Sequence, residues 1–299
     1  MGTGMTDDFE VLRKRWLNKY ITVQTKNDTK IRTVLVESAE DAAKRVAALE
    51  KNSTFSAGVR TAQIKLVMKE VKDVLDTLFG KTAPIILDGQ KEAAMAAVDG
   101  LSESDRRYLE MAFNSTGAVA NFIQSQRLQA KIQVAHTVNR VTKSERPLSQ
   151  RVYRTKALAN RWVQRDVNSG ILRGDSARDI AKTVRRHIRP STPGGVSYAA
   201  LRLGRTELNN AFHATAITFS QDRPWVQGME WHLSQVHTFD PNRVEICETY
   251  ARQTFPVNKV PPKPHPQCRC FITPVLESSD VFIRRLTAGE YEGWIDNAA

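Results

Sequence analysis

Residues 261–275, PPKPHPQCRCFITPV, decide how the C-terminal half of this chain folds. Four prolines between positions 261 and 266 restrict the direction of the backbone, and the apolar run at 269–275 predicts a β-strand. Cys268 and Cys270 lie one residue apart at the start of that strand, so an extended backbone would point both thiols to the same face. The segment therefore predicts a sharp corner followed by a strand that carries two thiols.

The thiols and the nearby histidine leave four interpretations open. Zinc prefers four nitrogen or sulfur ligands, and the candidate ligands are Cys247, His265, Cys268 and Cys270, although C-x-C is not the usual C-x-x-C spacing. A disulfide from Cys247 to either later cysteine would stabilise the fold by about 3 kcal/mol, but it would not persist in a reducing cytoplasm. A catalytic thiol needs a base and an oxyanion site, for which no pattern is evident. The simplest interpretation is a packed corner of the fold.

Charge is concentrated in one segment of this basic chain. The 299 residues contain 44 Lys and Arg against 32 Asp and Glu, a net charge of +12. Thirteen of the basic residues and only four of the acidic ones lie between positions 151 and 207. Such a segment can neutralise DNA phosphates without reading sequence, which makes double-stranded DNA a candidate partner. The candidate DNA-binding residues are Arg161, Arg165, Arg178, Lys182, Arg185, Arg186 and Arg189.

Hydrophobic periodicity predicts an α+β fold. Residues 1–146 form a predominantly helical N-terminal region, with a short hairpin over 20–36 and a helix over 59–78 that Gly80 and Pro84 end. Residues 147–279 form a small mixed domain with helices over 148–167, 175–188 and 197–220, strands over 226–233 and 269–275, and a helix over 244–253. Residues 280–299 form a C-terminal tail helix. No apolar run reaches some 18 residues, so we expect no membrane partner.

Motifs typical of enzymes are absent from the sequence. There is no G-x-x-x-x-G-K-[ST], H-E-x-x-H or G-x-S-x-G pattern, and acidic residues form no visible catalytic pair. The run Arg205-Thr206-Glu207 falls inside a helix, where an ion-paired face is the more common role. We therefore expect no enzymatic activity.

The order of these features resembles the C-terminal domain of the phage Mu F-like minor head proteins, the phage head morphogenesis family. A helix carries G-R-T-E and two asparagines, a strand carries a tryptophan, and P-P-x-P-H-P-x-C-R-C ends the series over roughly residues 150–276. Some members have a second cysteine shortly after the first, a feature that this chain lacks. The residues that carry the resemblance are Arg205, Thr206, Glu207, Trp231, His237, Asp240, Cys247, His265, Cys268 and Cys270.

The resemblance implies a minor capsid protein of a tailed bacteriophage that acts in head assembly and in DNA packaging or ejection. It would be located in the host cytoplasm during assembly and then in the virion, in the capsid interior or at the portal vertex. Its expected partners are the portal protein and the major capsid protein, with residues 1–146 as the docking region and a structural zinc ion as the candidate cofactor. The alternatives are a sequence-nonspecific DNA-binding protein that uses residues 151–207, and an enzyme or toxin-type activity of the kind that accompanies some Mu F-like domains.

Overall fold

A computed structural model describes residues 3–49, 60–113, 117–143, 147–190, 195–234, 237 and 244–291 of the chain. These residues are mostly helical and include one small antiparallel sheet, which confirms the predicted α+β class. In chain order the elements are α1 (Thr3–Ala48), α2 (Arg60–Phe113), α3 (Gly117–Thr142), α4 (Leu148–Arg173), α5 (Ala177–Ile188), α6 (Val196–Gln221), β1 (Val226–His232), α7 (Ile246–Tyr250), β2 (Thr254–Phe255), a 3₁₀ turn (Val257–Lys259), β3 (Phe271–Leu276) and α8 (Ser279–Thr287).

The hairpin expected over residues 20–36 is wrong, because this segment is the middle of helix α1. Tyr20, Asn27 and Ile31 are buried at helical spacing, whereas Ile21 is 45% exposed. The brief alternation of Ile21 and Val23 therefore does not mark a buried face, because the buried residues of this segment follow the helical period. Asn27 makes no turn and instead donates a hydrogen bond from Nδ2 to the carbonyl oxygen of Ile85, at 2.8 Å.

The expected end of a helix at Gly80 and Pro84 is also wrong, since α2 continues through both residues. A proline inside a helix costs about 3 kcal/mol because its ring displaces one backbone hydrogen bond. Leu78, Phe79 and Ile86 flank the proline and are almost completely buried. Each such side chain contributes roughly 1.5–3 kcal/mol on burial, so the packing of this helix outweighs the local penalty.

The chain forms two compact units that are interleaved in sequence. One unit comprises Met1–Gln24, Gln90–Thr142 and Thr206–Ala299, and the other comprises Thr25–Gly89 and Lys143–Arg205. Helices α1, α2 and α6 each contribute residues to both units. The boundaries expected at 146/147 and 279/280 stay a prediction.

The unit that contains residues 25–89 and 143–205 has an aliphatic core. Ile31, Leu75, Val163, Ile180 and Ala200 belong to one buried cluster, to which α1, α2, α4, α5 and α6 all contribute. The connection from α4 to α5 passes through Gly174, whose positive φ of 84° suits glycine. The hydroxyl of Ser176 then caps α5 by accepting a hydrogen bond from the backbone N–H of Asp179.

The other unit contains the sheet, with strand order β2-β1-β3 and antiparallel pairing throughout. Trp231 of β1 is paired with Ile272 of β3, and Met229 with Phe255 of β2. The two longer strands lie close to the expected ranges, while α7 is shorter than the expected helix over 244–253. Cys268 and Cys270 precede β3 instead of lying on the strand, although their sulfur atoms are still close together, within 4.8 Å of each other.

Within the described residues, no helix is both long enough and apolar enough to cross a bilayer.

Candidate metal centre

One face of helix α6 holds the proline-rich segment in place through three side chains. The hydroxyl of Thr206 accepts a hydrogen bond from the backbone N–H of Gln267, at 3.1 Å. The amide of Asn209 donates to the carbonyl oxygen of Cys268, and His213 Nε2 lies 3.0 Å from the carbonyl oxygen of Pro261. Spacings of three and four residues place these side chains on the same side of a helix. Thr206 of the G-R-T-E run and Asn209 therefore lie on the face of α6 that anchors the proline-rich segment.

That anchored segment brings the three cysteines of the chain together. Cys247 comes from α7, whereas Cys268 and Cys270 lie just before β3. All three side chains are buried, and their sulfur atoms lie within 4.8 Å of one another. The Sγ atoms of Cys247 and Cys268 are 3.5 Å apart, and all three thiols are free. Sulfur ligands of a tetrahedral zinc ion, at about 2.3 Å from the metal, would lie about 3.8 Å apart. The thiol spacing is thus compatible with a shared metal ion.

His265 is the nearest candidate for a fourth ligand. Its Nε2 lies 3.2 Å from Cys247 Sγ, and its Nδ1 lies 3.1 Å from the carbonyl oxygen of Pro266. The tautomer with its proton on Nδ1 donates to that carbonyl and leaves the Nε2 lone pair facing the thiols, as metal-binding histidines commonly do. His265 does not belong to the group of donor atoms that all lie within 4.8 Å of one another, so coordination would require its half-exposed ring to move.

Burial and mutual hydrogen bonding set the protonation of the thiols. Burial raises the pKa of Cys247 to about 11. A hydrogen bond between the other two thiols lowers the pKa of Cys268 and raises that of Cys270. Burial also lowers the pKa of Lys263, whose ammonium group donates to the carbonyl oxygen of Cys270. Because a metal binds thiolates, its binding to this cluster would release protons.

Two further residues that carry the resemblance, Trp231 and His237, make contacts near the thiols without being candidate ligands. Trp231 is fully buried, and its ring contacts those of His213 and Tyr250 at centroid distances of 5.7 and 5.3 Å. His237 Nε2 lies 2.9 Å from a carboxylate oxygen of Glu248, which follows Cys247 on α7, and this hydrogen bond raises the pKa of His237. These contacts position α7 and β1 around the thiols. Asp240 lies outside the described residues.

Burial also sets the protonation state of His213. It holds the pKa of His213 well below the ordinary value, so the ring that binds the Pro261 carbonyl is neutral.

The run Arg205-Thr206-Glu207 has structural contacts along its length. Arg205 donates from Nε and Nη2 to one carboxylate oxygen of Asp28, at 2.8 and 2.7 Å. Glu207 is buried and accepts a hydrogen bond from Gln90 Nε2 at 3.2 Å. The predicted ion-paired face is therefore observed at Arg205, while Thr206 holds the proline-rich segment.

The seven candidate DNA-binding residues have different surroundings. Arg185 and Arg189 both bind the carboxylate of Glu40, and their hydrogen bonds lower the pKa of Glu40. Lys182 pairs with Asp179 at 3.0 Å but remains 71% exposed at its side chain. Two of the seven residues thus have an intramolecular partner on another helix. The exposed members of the set are Arg161, Arg165, Arg178, Lys182 and Arg186.

Sequence reasoning missed Lys263 as a part of this centre. The sequence offers only a weak indication: Lys263 is the single Lys, Arg, Asp or Glu between positions 260 and 268. It also missed a buried group at the other end of the sheet, where Asp105 accepts hydrogen bonds from Arg223 and Trp225. Asp105 lies well inside α2.

No family model, curated protein or solved structure matches this chain.

Proposed function

We propose that this chain is a minor head protein of a tailed bacteriophage, and that one structural zinc ion closes its C-terminal fold. The observation that carries the proposal is the convergence of residues that are distant in sequence. Thr206 of α6 binds the segment over 264–270, and this segment brings Cys268 and Cys270 against Cys247. Several of the residues on which the Mu F-like resemblance depends thus lie around one centre, which supports a shared structural role.

Zinc suits the donor set of this centre. Three thiolates and the Nε2 of His265 would complete a four-ligand site of the structural kind, with no position left for a reacting water. When bound, the ion would supply crosslinks between α7 and the segment before β3. The raised pKa of Cys247 disfavours a thiolate at that position, whereas the pKa of Cys268 is lowered. The support for a structural role over the enzyme or toxin alternative is that all three thiols are buried, since reactive cysteines are at least partly exposed.

Cobalt substitution tests the metal part of the proposal. Co²⁺ added to the metal-free full-length protein should produce the absorption bands of tetrahedral thiolate coordination, and one equivalent of zinc should remove them. Cys247→Ser should lose the thiolate bands and His265→Gln should weaken binding, whereas the exposed control His136→Gln should behave as the wild type. A folded wild type that binds no cobalt would contradict the metal proposal.

Particle composition tests the head-protein part. In this role the chain would contact the portal protein and the major capsid protein, in the capsid interior or at the portal vertex, after assembly in the host cytoplasm. Quantitative mass spectrometry of purified phage heads should find the chain in few copies, comparable to the portal protein. Heads that contain portal and capsid proteins but lack this chain would refute the role.

A second candidate function is non-specific binding of double-stranded DNA. The observation that favours it is the exposure of five of the seven basic candidates on α4 and α5. DNA affinity should fall steeply with salt, and replacing Arg161, Arg178 and Arg186 by alanine should reduce the salt slope by about one per residue. Lys72→Ala, at an exposed site on α2, is the matched control. Absence of binding even at low salt would exclude this function.

A further inference from the structure

Two large apolar side chains lie on the outer face of helix α3. Leu128 is 55% exposed and Ile132 is 64% exposed, and the two are one helical turn apart. Two positions along a helix correspond to a rotation of about 200°, so the buried residues Ala130 and Val134 lie on the opposite face. Leu128 and Ile132 therefore point away from the side of α3 that packs against the rest of its unit.

Polar contacts at the inner side of α3 fix which face points outward. Arg127 forms an ion pair with Asp99 of α2, at 2.6 Å. The amide of Gln133 donates a hydrogen bond to Asp222, which follows α6, at 3.3 Å. These contacts join α3 to its neighbours on two sides, so the exposure of the apolar pair does not come from a freely rotating helix.

The charges on α3 all have one sign. The sequence contains no Asp or Glu between Glu110 and Glu145. Lys131 and Arg140 are exposed and lie on either side of the apolar pair around the helix axis. Arg140 donates to the neutral hydroxyl of Thr218, at 2.9 Å, and keeps its charge. The outer face of α3 is thus apolar at its centre and positive at its margins.

We infer that this face of α3 binds an acidic amphipathic helix of a partner protein. Apolar residues three and four positions apart on the partner would contact Leu128 and Ile132, and Asp or Glu beside them would pair with the positive margins. The inference depends neither on zinc nor on the role as a head protein.

Charge and apolar character together favour this occupant over two others. A second copy of the chain, packed face to face, would bring two positive margins together, and like charges across an interface oppose association. Double-stranded DNA would be held by contacts to its phosphates and would leave Leu128 and Ile132 without apolar partners. An acidic helix satisfies both the centre of the face and its margins.

The test starts with a selection of displayed peptides on the full-length protein. The library consists of amphipathic helices whose flanking positions are randomised among Glu, Lys and Gln. Each peptide has about 20 residues, because helices shorter than about 12–15 residues are marginal in water. The enriched peptides should carry apolar residues three and four positions apart and more Glu than Lys. Fluorescence anisotropy then measures the affinity of an enriched peptide at low and high salt.

Variants of the outer face should change this affinity in a defined order. Ile132→Glu should weaken binding by at least about 10-fold, because it replaces an apolar contact with a charge of the partner's own sign. Lys131→Glu should weaken binding by a smaller factor and should reduce its salt dependence. Leu172→Glu changes another exposed leucine, on α4, and should leave the affinity as in the wild type.

Several outcomes would overturn the inference. One is a selection that enriches no peptide on the wild type relative to Ile132→Glu, or that enriches peptides rich in Lys. Another is a wild type that sediments as a dimer while Ile132→Glu sediments as a monomer, since a second copy would then cover the face. A third is binding of duplex DNA that Lys131→Glu loses and Ile132→Glu keeps. Circular dichroism checks the fold of each variant, and Leu128→Glu repeats the test if Ile132→Glu does not fold.

Discussion

Two charged groups in the sheet-containing unit, one almost fully buried and one partly buried, differ in how their charge is balanced. At one, the Asp105 carboxylate accepts hydrogen bonds at 3.0 Å from Arg223 Nε and from Trp225 Nε1, and both ionic partners are almost fully buried. At the other, the ammonium of Lys263 lies beside three thiols, and within the described part of the chain it has no carboxylate partner. The first group has its counter-charge beside it, whereas the second contacts a backbone carbonyl and an aromatic ring face.

The difference separates a structural ion pair from a candidate ligand site. Burial raises the pKa of Asp105 although Arg223 opposes this effect, so desolvation costs more than the Coulomb attraction returns. Such a pair persists because its hydrogen bonds are satisfied and because Arg223 also lies 3.6 Å above the ring of Phe219. The three buried thiols near Lys263, in contrast, have the donor type and the mutual spacing of a candidate metal site.

The largest loss of stability is expected when the buried pair of Asp105 and Arg223 is broken. Asp105→Ala leaves Arg223 buried without a counter-charge, and the free energy of unfolding should fall by about 3–5 kcal/mol in urea denaturation. Asp99→Ala, on the same helix, removes a partly exposed pair with Arg127 and should cost less than about 1 kcal/mol. Equal free energies of unfolding for the two variants would contradict a stabilising role of the pair between Asp105 and Arg223.

Metal removal should have the next largest effect. With free zinc at about 100 times its dissociation constant, chelation should lower the free energy of unfolding by about 2.7 kcal/mol, because only the folded state assembles the ligands. Cys268→Ser should start at lower stability and should not respond to the chelator. Identical responses of the wild type and Cys268→Ser would show that the thiols bind no stabilising ion.

A smaller effect is expected from the anchoring face of α6. Thr206→Val leaves the backbone N–H of Gln267 without its acceptor and should cost about 1–2 kcal/mol. Thr215→Val on the same helix is the matched control, because the Thr215 hydroxyl is buried and has no hydrogen-bond partner among the residues that the structure describes. Its replacement should be neutral or slightly stabilising. Equal losses at both positions would indicate a general packing effect.

The smallest effect should appear in the pH dependence of stability. The hydrogen bond to Glu248 raises the folded-state pKa of His237, so its contribution is fully present below the unfolded pKa of about 6.5. That contribution is lost as the pH rises through the raised pKa. The difference in melting temperature between the wild type and His237→Gln should therefore be larger at pH 5.5 than at pH 9. A difference that is constant across this range would exclude the ion pair.

Local sequence signals predicted those parts of the molecule that depend on short-range patterns. The strands around Trp231 and the cysteine set were recognisable because alternation and rare residue types are visible within a few positions. The continuation of α2 through Pro84 was not predictable in this way. It is stabilised by the burial of Phe79 and Ile86 in the core, and the local sequence around the proline does not show that burial. The pairing of Asp105 with Arg223 spans 118 positions and has no local pattern.

The position of Lys263 was hidden for a similar reason. Nothing near it in the sequence marks it as buried, since its environment is made by Trp231 of β1 and by the cysteines that follow. The hairpin over 20–36 failed because the alternation there involves only two apolar residues, whereas the residues that are buried, such as Tyr20, Asn27 and Ile31, follow the helical period.

The most direct test of the account is the zinc content of the purified, full-length protein after removal of metal and reconstitution with zinc. Elemental analysis should find about one zinc ion per folded chain, and essentially none in Cys268→Ser treated in the same way. A folded wild-type protein that retains no zinc after reconstitution would contradict the proposed centre.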